Sequence, residues 1–158
     1  GGEYQTVTNE IMRIAQDDTL MLATSSFGMA LRGWQLLEVT VISDREEEKN
    51  EYDYVEVIYN ARVESTLSGE DPGTEILLRF NSYEELPLSN GERYLLFVDN
   101  YEGKHYINPN MIARIGADGT IQDIGSGKST FSEYNGRTVE EVSDLAYEVT
   151  QFLKTFKQ

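Results

Sequence analysis

The sequence predicts a mainly β single domain: a small antiparallel β-barrel with a C-terminal α-helix packed on it and a short N-terminal helix. Three observations point there. Tyr94-Leu95-Leu96-Phe97-Val98, entered from the Asn90-Gly91 turn signal, is an unbroken apolar run of strand length, as suits a strand covered on both faces. Shorter stretches of β-branched and aromatic residues lie around it, separated by Gly-, Asn- and Pro-bearing breaks. One long C-terminal stretch carries apolar residues at helical spacing. At 158 residues the chain fits one domain with a real core, and its ten Tyr, six Phe and one Trp lean towards β structure.

Residues 8–16 suit the N-terminal helix: Thr8 or Asn9 can cap it, and Ile11, Ile14 and Ala15 share a face. Residues 20–23 read as a short first strand. Over 24–33, Ser25-Ser26 and two glycines point to a loop, while Phe27, Met29 and Leu31 alternate as in a strand. Residues 34–43 alternate cleanly, with Leu37, Val39 and Val41 on one face and Glu38, Thr40 and Ile42 on the other. The charged stretch 45–51 reads as a solvated hairpin loop. Residues 52–67 form one long strand, apolar on both faces in the middle, as where a strand bends across a barrel.

Ser68-Gly69-Glu70-Asp71-Pro72-Gly73 is a strong turn signal, and 74–80 is the next strand. A loop over 81–90 with Pro87 leads to the central strand. Residues 99–103 read as a turn and 104–107 as a strand, broken by Asn108-Pro109-Asn110. Residues 111–115 and 120–124 flank Asp118-Gly119 as a hairpin. Residues 125–135 are irregular. The helix over 138–156 opens with a Thr138/Glu141 capping box. Val142, Leu145, Ala146, Val149, Phe152, Leu153 and Phe156 form its apolar stripe, and Lys154 and Lys157 suit its C-terminal end. No repeat or linker divides the chain. Five or six short antiparallel strands plus a helix point to an OB-like or related small barrel over residues 1–158.

The formal charge is −15, from 28 acidic and 13 basic residues. Such a field repels phosphate backbones and favours cationic partners. With no Cys, disulfides, thiolate catalysis and Cys-ligated metals are excluded. No apolar stretch approaches the ~18 residues of a membrane span. The opening Gly1-Gly2-Glu3-Tyr4 lacks an initiator Met, as expected where a targeting segment has been removed.

Gly125-Ser126-Gly127-Lys128-Ser129-Thr130 invites a phosphate-loop reading, but Gln122 stands where that motif needs its first Gly. A flexible Gly/Ser loop fits better. His105 is the only His; it excludes paired-His metal motifs and reads as a surface residue on its strand. Acidic pairs such as Asp17-Asp18, Glu84-Glu85 and Glu140-Glu141 read as solvated. Asp99, Asn100 and Glu102 lack the twelve-residue Ca²⁺ loop pattern. Catalytic residues, metal ligands and cofactors are therefore none. The aromatics carry more: Trp34, Tyr52, Tyr54 and Tyr106 on or beside strands are the candidate ligand-binding residues, since small barrels stack bases or sugars on such faces.

From Tyr52-Asp53-Tyr54-Val55 through Thr74–Phe80, Gly91-Glu92-Arg93-Tyr94-Leu95-Leu96-Phe97, Asn108-Pro109 and Asp118-Gly119 to the Thr-Val-Glu-Glu helix start, the chain resembles small secreted or lipid-anchored bacterial proteins. Their OB-like barrel is similar to the inhibitory domain of tissue inhibitors of metalloproteinases. The resemblance covers about residues 52–150 and implies a location outside the cytoplasm, with a lipid anchor as the only membrane tie. The inhibitors' zinc-binding N-terminal Cys has no counterpart here, so that mechanism does not transfer. The expectation is a non-enzymatic extracellular or envelope module binding a protein, peptide or glycan. One alternative is an OB-fold nucleic-acid binder using Arg62, Arg79, Arg93 and Arg114. Another is a hydrolase with paired carboxylates.

Overall fold

The computed structural model describes residues 18–81, 88–125 and 130–155. The helix expected over 8–16, the Pro87 loop segment and most of the Gly/Ser loop lie outside them. Among the described residues seven strands are formed: β1 (Gln35–Val41), β2 (Glu46–Lys49), β3 (Val55–Ser68), β4 (Glu75–Asn81), β5 (Arg93–Tyr101), β6 (Lys104–Ile115) and β7 (Ile121–Asp123). A helix, Ser26–Gly33, precedes them; a 3₁₀ turn, Ser132–Tyr134, and a helix, Val139–Thr155, follow.

Five strands close a ring in the order β1–β5–β6–β4–β3–β1, with β2 added outside β3 and β7 added to β6. Every pairing is antiparallel except β4–β6, which is parallel through Leu78↔His105 and Arg79↔Tyr106. The all-antiparallel expectation is thus corrected, and the reason is parity. A ring with an odd number of strands cannot alternate direction all the way round, so one parallel contact is forced.

The ring separates two cores. Leu37, Val39, Val57, Tyr59, Leu78, Phe80, Tyr94, Leu96 and Val98 fill its interior. Phe27, Leu36, Leu95, Phe97, Phe131, Val142 and Ala146 pack on its outside, beneath the two helices. The apolar run in β5 follows from this: alternate residues face each core, so all of Tyr94–Val98 is buried between the antiparallel neighbours β1 and β6. Phe97 and Phe131 stack at 5.5 Å, and Phe27 meets Phe97 edge-on at 5.8 Å.

Several local expectations are corrected. Residues 18–24 are helical rather than a strand, and 26–33 form a helix rather than a loop. Ser25 joins the two: its Oγ accepts from the Gly28 N–H at 3.2 Å as an N-cap. Phe27 and Ala30 then face the outer core three residues apart while Met29 is exposed, so the period is helical. Residues 46–49 are a strand, because backbone pairing with β3 does not require buried side chains; charge on such an edge guards it against mispairing.

The long strand starts at Val55, since 51–53 form the β2–β3 turn. Residues 99–101 continue β5 up to a two-residue turn at Glu102-Gly103, both at positive φ (51° and 76°) as a type I′ hairpin needs. Asn108-Pro109-Asn110 does not end β6. Leu96 pairs with Ile112 and Val98 with Ile107, so residues 108–111 bulge opposite Phe97, where Pro109 needs no ladder N–H.

The C-terminal helix matches its capping box: Thr138 Oγ1 accepts from the Glu141 N–H at 3.1 Å, and Glu141 Oε1 accepts from the Thr138 N–H at 3.4 Å. Val142, Ala146 and Val149 are its buried stripe.

Gly28 is where the two N-terminal helical stretches meet most closely. A Cβ there would lie 2.3 Å from the Leu22 carbonyl oxygen and 2.4 Å from that of Ala23. Gly28→Ala therefore destabilises, by about 1–3 kcal/mol, against the usual helix preference for Ala. Thermal unfolding should show a lower Tm; an unchanged or raised Tm would refute this close approach.

Candidate functional site: a tyrosine-lined acidic cleft

Two turns meet at one end of the ring. Asn50 shapes the first: its Oδ1 accepts from the Tyr52 N–H at 2.9 Å and the Tyr54 N–H at 3.1 Å, while Asp53 takes φ 66°. The second is the Glu102-Gly103 hairpin tip. Between them lies an open cleft of about 290 Å³, bounded by Asn50, Glu51 and Tyr52 on one side and Asp99, Tyr101, Glu102 and Lys104 on the other. Glu56, Asn81 and Tyr106 also line it.

Glu56, Arg79 and Tyr106 form a row across β3, β4 and β6. Arg79 pairs with Tyr106 through the parallel contact and with Ile58 on its other side, which sets it diagonal to Glu56. Glu56 and Arg79 are ion-paired at 3.2 Å with side chains only 5% and 10% exposed. Glu48 lies 3.6 Å from the same guanidinium nitrogen, at the solvent side. Glu56 Oε1 also accepts from the Tyr106 hydroxyl at 2.9 Å and from Asn50 Nδ2 at 3.3 Å. The carboxylate is thus satisfied from three strands or turns, and the walls of the cleft rest on it.

Burial by itself raises the Glu56 pKa, but the hydrogen bonds from Tyr106, Asn50 and Arg79 and the Arg79 charge outweigh it and hold the group below its ordinary value. The same burial and the same bond push the Tyr106 hydroxyl up to about 12, so it stays a donor. A group held ionised in this way is poorly suited to donate a proton at neutral pH.

Of the aromatics expected at a site, Tyr52 and Tyr106 share this cleft, with Tyr52 73% exposed. Trp34 is half-buried against the outer core and lines a smaller neighbouring hollow of about 170 Å³ with Phe97, Asp99 and Tyr106. Asp99 and Tyr106 therefore stand between the two hollows. Tyr54 is exposed but lines neither. Tyr101 belongs with the cleft, its ring edge-on to Tyr106 at 6.4 Å.

The four arginines do not form a basic strip. Arg79 is buried with Glu56; Arg93 pairs with Glu38; Arg62 pairs with Glu64 at 2.8 Å; Arg114 donates to Gln122 at 3.3 Å. His105 is not a bare surface residue. Gln35 donates its amide to the Glu70 carbonyl, so its Oε1 accepts from Asn100 Nδ2 at 2.9 Å. Asn100 Oδ1 then faces His105 Nδ1 at 2.6 Å, which fixes the neutral ring as the Nδ1–H tautomer. Burial lowers the His105 pKa. The Gly/Ser loop leaves the short antiparallel β7 and leads to a 3₁₀ turn, so neither flank is that of a phosphate loop.

Glu56 was not among the site residues expected from the sequence, and Arg79 was expected in a basic strip rather than as the buried partner of a carboxylate. Both carry a local signal: each is a charge flanked on both sides by apolar residues within a strand, Val55-Glu56-Val57 and Leu78-Arg79-Phe80.

Glu56→Gln leaves buried Arg79 with only the exposed Glu48, 3.6 Å away, as an ionised partner, and should cost up to about 3–5 kcal/mol at neutral pH. The folded pKa of Glu56 lies below its ordinary 4.5, so its contribution is complete above that pH and lost as pH falls through the lower folded value. Urea unfolding across pH 3–7 should therefore show a shallower acid decline in Glu56→Gln than in wild type. Parallel declines would refute the assignment.

No protein-family model matches the chain, and the searches of curated proteins and of solved structures return no significant match.

Proposed function

We propose that this protein is a non-catalytic binding module, an OB-like barrel that seats a protein, peptide or glycan segment in the Tyr52–Tyr101–Tyr106 cleft. The observation that carries this reading is convergence. Three tyrosines from a turn, a strand end and a second strand meet over a floor that is rigid and fully hydrogen-bonded. Exposed rings held by a fixed base offer contact area at small entropic cost.

The ring order supports the OB-like comparison. With β2 and β7 set aside, the five ring strands close with the last between the third and the fourth, the connectivity of that barrel. Loops at one end of such barrels bind oligosaccharides and oligonucleotides. Nucleic acid is the weaker partner: the arginines are committed to carboxylates or to Gln122, and the charged residues lining the cleft are four acids against one Lys. The resemblance over residues 52–150 supports placement outside the cytoplasm or at the envelope.

The test is a screen of peptides and glycans against the full chain, followed by Tyr52→Ala and Tyr101→Ala. Both side chains are exposed, so the fold should persist. Each substitution should weaken a cleft ligand about 2–10-fold, the equivalent of a lost aromatic contact. A ligand that binds equally well to the Tyr52→Ala/Tyr101→Ala double variant would move the site elsewhere.

A further inference from the structure

The chemistry of the cleft narrows its ligand. We infer that it takes an alkylammonium group: the side chain of a lysine in a peptide, or the head of a free quaternary amine. This rests on the reading that the cleft is the binding site and adds the charge of what enters it.

Tyr106 spends its hydroxyl on Glu56, so what it offers the cleft is its π system. Tyr52 and Tyr101 are 73% and 60% exposed, with rings free to be covered. The electron-rich faces of such rings attract cations. Among the described residues Glu51, Asp99 and Glu102 have neither an ion pair nor a side-chain hydrogen bond, and Lys104 is the one basic residue among those lining the cleft. Three carboxylates thus stand against one ammonium. Glu56 is already matched by Arg79, so the negative surplus sits at the rim, where an arriving group meets it first.

A neutral sugar would gain the rings and hydrogen bonds from its hydroxyls but no attraction between net charges, and an anion would be repelled. A cation gains both rings and carboxylates. Among the described residues no group of three acids lies close enough to hold a metal ion, so the surplus suits a large, diffuse cation over a chelated one. At about 290 Å³ the cleft has room for one ammonium head and its substituents.

The test is an NMR titration of the full chain at low salt with choline chloride and with N-acetyl-lysine methylamide. The neutral choline isostere 3,3-dimethylbutan-1-ol and salt-matched KCl serve as controls. Either ammonium probe should shift Tyr52, Glu102 and Tyr106 resonances saturably, with the neutral isostere at least about 2–5-fold weaker. Asp99→Asn/Glu102→Gln and Tyr101→Ala should each weaken the ammonium probe severalfold, while Tyr101→Phe keeps it. Saturation by choline alone identifies a free quaternary amine, and saturation by the lysine amide alone a peptide; both support the inference. Equal binding of the neutral isostere overturns it, as do neutral glycans or peptides that occupy the cleft when both ammonium probes fail; the cleft reading then stands. If no probe or screened ligand moves a cleft resonance, both readings fall.

Discussion

Everything in this molecule depends on β5 being buried on both faces. Tyr94, Leu96 and Val98 point into the ring, and Leu95 and Phe97 point out beneath the helices. At an edge such a strand would leave a row of N–H and C=O groups unpaired beside a long apolar surface. Full burial of such side chains is worth about 1.5–3 kcal/mol each. The chain must therefore supply a neighbour on each side and a cover outside. β1 and β6 provide the neighbours, and the helices with Phe131 provide the cover. Ser26–Gly33 is short, and its worth lies in placing Phe27 against Phe97 and Phe131.

The odd number of strands in the ring has a chemical consequence. It forces the parallel β4–β6 contact, and that contact sets Arg79 beside Tyr106. A charge in the middle of β4 would otherwise be a liability, since a buried charge without a partner is expensive. Here it meets Glu56 from β3, and the hydroxyl of Tyr106 completes the set. Among the described residues no buried side-chain nitrogen or oxygen lacks a hydrogen bond. The triad locks three strands in register and leaves two turns facing each other above it.

The acidic residues divide by what the fold gives them. Glu56 is buried, paired and structural; Glu38 holds Arg93 across the sheet, and Glu64 holds Arg62 along its own strand. Glu51, Asp99 and Glu102 have no such partner among the described residues and gather at one cleft. The overall charge of −15 is thus uneven in meaning. Most of it is solvated surface, and part of it surrounds exposed tyrosine rings, where negative charge and π faces favour the same kind of ligand.

What could be read directly from residue order was whatever depends on near neighbours in the chain. The double-faced run 94–98, the alternation in 35–41, the Asp118-Gly119 hairpin and the Thr138/Glu141 cap each carry their signal within a few residues. Tertiary structure decided the rest. Residues 46–49 became a strand only because β3 offered backbone partners, and Pro109 stayed within β6 only because a bulge opposite Phe97 relieved it of pairing. Tyr52 and Tyr106 were legible as aromatics near strands, but their meeting was not, and neither was the separation of Tyr54 from them. Local patterning sets which face of an element is apolar. Which side chains from distant strands share a cleft is set by ring closure and register, and these belong to the folded chain as a whole.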